Sequence, residues 1–110
     1  SVYNMTVREN QMEKSLSLAL SGAMNRYYEP NMYIVDKKPV NSYDVEKAVI
    51  EDINERLTAG GTASTTVYVC DMEKGIISAG IEEEFRLPTG VTKKISCKKT
   101  IVADQPMEDN

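Results

Sequence analysis

Histidine is absent from the 110 residues. That removes the side chain that most often moves protons near neutral pH, and with it imidazole ligation of metals. No apolar run approaches the 18 or so residues that a membrane-spanning helix needs. The only cysteines, Cys70 and Cys97, form no C-x-x-C pair, so a zinc site is not expected. No serine stands in a G-x-S-x-G elbow, and Gly60-Gly61 lacks the lysine and spacing of a phosphate loop. The 13 basic residues are outnumbered by 17 acidic ones and gather into no single stripe. Nucleic acid is therefore not an expected partner, because binding it requires clustered cations that displace counterions. With no acid–base–nucleophile set in the inventory, the chain is expected not to be an enzyme. No catalytic, cofactor-binding or metal-ligating residue is assigned, and no small-molecule substrate is expected.

What is present describes one ordinary domain. A 41% hydrophobic and 27% charged composition suits a soluble globular chain of this length. From about residue 5 to 28, Met12, Leu16, Ala19, Leu20, Ala23, Met24 and Tyr27 recur at helical steps. Arg8, Glu13, Ser17 and Arg26 are read as the opposite face. The first turns, Thr6 to Gln11, are polar enough that the front of this helix is expected to project from the core or to continue a helix lying upstream. Pro30 ends the pattern. A connector with Pro30 and Pro39 follows, and its Met32-Tyr33-Ile34-Val35 offers a short edge strand. Asn41 or Ser42 caps a second helix, about 42 to 59, with the stripe Val45, Ala48, Val49, Ile53 and Leu57 and a stop at Gly60-Gly61.

Near Gly60 the periodicity changes from helical to alternating. Three strands are expected, at about 64–71, 76–87 and 91–102, joined by turns at 71–75 and 88–90, with Gly75 suited to positive φ. Ile77, Ala79, Ile81, Phe85 and Leu87 take one face of the middle strand, and Ser78, Glu82, Glu84 and Arg86 the other. Glu83 is a charge on the apolar face. Val91, Ile95, Cys97 and Ile101 face inward on the last strand. Pairing Leu87 with Val91 sets Glu84 opposite Lys94 and Ile81 opposite Cys97. The expected fold is thus α+β, two helices packed on a three-stranded antiparallel meander in the order α-α-β-β-β, with Met32–Val35 as the candidate fourth strand. It forms a single domain over 1–103, with a flexible acidic tail at 104–110. In such a meander the middle strand separates Cys70 from Cys97, so free thiols are expected in preference to a disulfide.

Several local patterns have plain readings. Glu82-Glu83-Glu84 is a solvated strand answered by Lys94 and Lys98, since only Glu82 and Glu84 share a face. Leu87-Pro88-Thr89-Gly90 lacks the residue between proline and threonine that a sortase signal requires, and reads as a hairpin turn. Asn4-Met5-Thr6 fits a glycosylation sequon, a very common pattern. Of Tyr27 and Tyr28, one is expected in the core and the other at its rim.

The polar helical start, the second amphipathic helix and three strand segments together resemble a known family. The segments are Asp71-x-Glu73-Lys74-Gly75-Ile76-Ile77, Phe85-Arg86-x-Pro88-x-Gly90 and Ser96-Cys97-Lys98-Lys99-Thr100-Ile101-Val102. Over residues 3 to 102 the chain resembles the exported part of TadE-like proteins, minor pilin-like components of tight-adherence (Flp-type) pilus systems. The resemblance implies a transmembrane helix directly upstream of Ser1, a place outside the cytoplasmic membrane at the cell surface, and a non-enzymatic role in pilus assembly or adherence. Its implied partners are other pilus or surface-assembly proteins, and it implies no catalytic residue. The opening at Ser1 fits a removed signal peptide as well as a missing anchor. The alternative function is a peptide- or protein-binding module that uses an exposed sheet edge, since Thr65 and Thr66 give the first strand little charge protection.

Overall fold

The computed structural model describes residues 2–28, 40–57 and 62–103. Among them the elements run α1 (Val2–Tyr27), α2 (Ser42–Arg56), β1 (Thr62–Asp71), β2 (Ile76–Arg86) and β3 (Thr92–Val102). This is the expected α-α-β-β-β order, with β2 between β1 and β3 and both pairings antiparallel. The strand proposed at Met32–Val35, the Gly60-Gly61 stop and the tail 104–110 lie outside the described residues.

Both helices lie on one face of the sheet. Helix α1 packs over β3 and β2, and α2 over β1. Met12, Leu16, Ala19, Leu20, Ala23 and Met24 of α1 are buried against Val45, Val49 and Ile53 of α2 and Ile77, Ala79, Ile81 and Ile95 of the sheet. Asn41 caps α2, its Oδ1 accepting the Tyr43 N–H at 2.9 Å. The described helix ends at Arg56, three residues short of the expected limit, with Leu57 as its C-cap donating its N–H to the Ile53 carbonyl.

The β2–β3 register places Glu84 opposite Lys94 and Ile81 opposite Cys97, as the charge pattern requires. The Leu87 N–H meets the Val91 carbonyl at 2.8 Å, and Gly90 at φ 89° completes a three-residue loop. Val91, expected to face inward, is 52% exposed because it sits at the turn end of the hairpin, beyond the last sheet residue the helices cover. The β1–β2 turn depends on Gly75 (φ 73°). There the Lys74 N–H is held by Asp71 Oδ1 at 3.0 Å, and the Gly75 carbonyl receives the Ala103 N–H at 2.7 Å. A Cβ at Gly75 would fall 2.7 Å from Ala103 Cβ and 2.8 Å from the Tyr28 ring. The chain closes this tightly only without a side chain.

Candidate functional site

Three features remain once the core is accounted for: a charge pair under α1, an open sheet face, and two unlike sheet edges.

Glu83 points from β2 toward the helices and is only 2% exposed. Arg8 of α1 covers it with two parallel bonds, Nε to Oε1 at 2.6 Å and Nη2 to Oε2 at 2.5 Å. The planar guanidinium matches both carboxylate oxygens, the geometry that best offsets desolvation of a buried ion. The hydrogen bond to the Glu83 carboxylate pushes the Arg8 pKa up, with partial burial opposing and the carboxylate's charge adding to the rise. The placing of Arg8 on the outer helix face is therefore corrected. Arg8 precedes Met12 by one helical turn and extends the 12–16–20 row onto the sheet. The polar start of α1 is held down from Arg8 onward. The spacing carried this signal, and reading polarity in place of position hid it.

The opposite face of the sheet carries no described helix. On it Gly80 of β2 lies beneath the Tyr68 ring, which would stand 3.0 Å from a Cβ there. Lys98 Nζ lies 4.5 Å from the centre of the same ring. Ser64, Thr66, Glu82, Ser96 and Lys98 line the rest of a shallow groove of 380 Å³. Toward the other end of this face, Val69, opposite Ser78, and Val102, opposite Ile76, are exposed. A bulge between Val67 and Val69 turns both Tyr68 and Val69 outward. Ser78, expected in solvent, is buried beneath its neighbours and accepts the Thr100 hydroxyl at 2.9 Å. Glu82 meets Lys94 at 3.4 Å in the open, as a solvated strand face should.

The cysteines lie on different edge strands, Cys70 beside Ile77 and Cys97 beside Ile81, and both are free thiols. Burial pushes both thiol pKa values up. Glu46 and Asp71 add to this at Cys70, and Glu13 adds to it at Cys97 while Lys99 opposes. Such thiols stay protonated and react poorly. Tyr27 and Tyr28 are both half-buried against the core, where one had been expected at the rim. Among the described residues no cluster of three or more Cys, Asp or Glu side chains is placed to hold a metal ion. No described helix is long and apolar enough to cross a membrane.

No protein-family model, curated protein or solved structure matches this chain.

Proposed function

We propose that this domain is a non-enzymatic, pilin-like assembly module that stands outside the cytoplasmic membrane. In this reading it is anchored through a segment upstream of α1 and joins other pilus or surface-assembly proteins. The observation that carries the reading is the way α1 is seated. The helix starts at Val2, nearly two turns before the Arg8–Glu83 pair, and from that pair its buried row runs along the sheet to Met24. A helix clamped to a sheet at a buried bidentate pair transmits orientation, and load, from whatever precedes it to the whole domain. The TadE-like strand motifs agree with this, and the 71–75 and 88–90 segments among them form the turns of the meander.

The test uses the product of the whole gene in its own cells. Membrane fractionation followed by protease treatment of intact cells should find the domain in the membrane fraction and open to digestion. Deleting the gene should reduce surface filaments seen by electron microscopy. A product recovered from the soluble cytoplasmic fraction overturns the proposal.

A further inference from the structure

The two edges of the sheet differ sharply in charge. Strand β3 carries Lys93, Lys94, Lys98 and Lys99, the usual protection of an edge against a foreign strand. Strand β1 carries no charge from Thr62 through Cys70, no proline, and small polar side chains at Ser64, Thr65 and Thr66. Among the described residues β1 has a single strand neighbour, β2, and no strand lies along its other side. Its regular part ends at the Val67–Val69 bulge, which leaves Ala63 to Val67 as a segment of unbroken register.

Helix α2 lies above this edge. Asn54 Oδ1 is 3.5 Å from the Thr65 hydroxyl, and Cys70 Sγ is 3.5 Å from the Ser42 carbonyl, so α2 runs antiparallel to β1 along its length. Ala48, Glu51, Asp52 and Glu55 line the groove toward α1. Helical spacing puts Tyr43, Ile50, Asn54 and Leu57 on the other flank, beyond β1. Ile50 and Leu57 there are only half-buried, and Tyr43 is 63% exposed.

We infer that β1 pairs antiparallel with β1 of a second copy of this chain about a two-fold axis at Thr65. The result is a six-stranded sheet with both helical layers on one face and the α2 flanks in contact. The charge pattern selects this occupant. Two β3 edges would oppose lysine with lysine, whereas β1 meets its own copy with no charge opposed. Around Thr65 the pairs are Ser64 with Thr66 of the partner subunit and Ala63 with Val67 of the partner subunit, all of them small or β-branched side chains suited to cross-strand contact. An α2 flank about 22 Å long together with five strand residues amounts to on the order of 1,000 Å² over both copies, enough for a specific but weak dimer. The inference does not depend on the membrane-anchored reading, and the failure of either leaves the other standing.

Sedimentation of the chain from micromolar concentration to about 1 mM should show a reversible monomer–dimer equilibrium, with β1 amides gaining exchange protection as the dimer forms. Ser64 and Thr66 are exposed and point away from the helices, so both accept charged side chains without disturbing the core. The double variant S64K/T66K, which sets like charges across the axis, should weaken the dimer at least about tenfold. The variant S64K/T66E, which sets opposite charges there, should keep or tighten it. Both should keep the circular dichroism and melting temperature of the parent. A chain that stays monomeric throughout overturns the inference. So does a dimer equally strong in both variants, or protection of β1 that appears only when an unrelated extended peptide is added.

Discussion

The two faces of β2 carry the same kinds of residue under opposite rules. On the helix side Ile77, Ala79 and Ile81 are buried, and a glutamate among them, Glu83, is held by both nitrogens of an arginine fork. On the open side Glu82 is 54% exposed and meets Lys94 at 3.4 Å. The second carboxylate is open to solvent, whereas the first is covered and is paired, among the described residues, by Arg8. One strand thus shows that the cost of a charge is set by what covers it, and two adjacent glutamates make the contrast measurable.

The sharpest way to break that comparison is to remove each partner in turn. Arg8→Met leaves Glu83 buried without its counter-ion and should cost about 3 to 5 kcal/mol in chemical denaturation. Glu82→Gln should shift stability by less than about 0.5 kcal/mol. The double variant Arg8→Met/Glu83→Leu removes both charges and should recover most of the loss, or exceed the parent, because a packed apolar pair carries no desolvation penalty. Equal costs for Arg8→Met and Glu82→Gln would show that Glu83 is hydrated in solution.

The layered architecture was legible because two periodicities meet near Gly60, and each is imposed by where the core lies. The β2–β3 register was legible because one slip would have turned Ile81 and Ile95 to water. Glu83 was recognisable as a misplaced charge. Its partner was not, since an arginine in a polar helical start reads as solvent-facing until a buried acid is known to lie opposite. Ser78 and Tyr68 were illegible for another reason. Alternation assigns a side chain to a face, but it does not say that the central strand of a narrow sheet is shaded by its neighbours, or that a bulge will lay a ring across Gly80.

The next largest effects come from the two close approaches, one on each side of this contrast. Gly75→Ala combines a left-handed backbone with a 2.7 Å approach to Ala103 Cβ, and should cost about 2 to 3 kcal/mol. On the open face Tyr68→Ala removes a ring that covers Gly80 and meets the Lys98 ammonium, and should cost about 1 kcal/mol. Thermal melts of the two variants rank these effects. A larger loss at Tyr68 than at Gly75 would mean that the open face contributes more to stability than the turn that joins the sheet to α1.

The smallest expected effect concerns the thiols, which extend the comparison from the faces of the sheet to its edges. Cys70 and Cys97 stand on opposite sides of β2, and their partners Ile77 and Ile81 are four residues apart along it. Two strand spacings and four residues of rise separate the α-carbons by about 16 Å, more than twice the reach of a disulfide. Mild oxidation of the folded chain should therefore leave no internal bridge, as mass spectrometry after alkylation would show. Burial raises both thiol pKa values in the folded state. The stability this contributes is fully present below the unfolded thiol value of about 8.5, and it is lost as pH rises through the higher folded values. Near pH 8 iodoacetamide should label the folded thiols several-fold more slowly than the same thiols in urea, and the gap should narrow as pH rises. Equal rates at pH 8 would mean that the edge strands open readily. The contrast between a covered and an open side of the sheet would then hold only at β2.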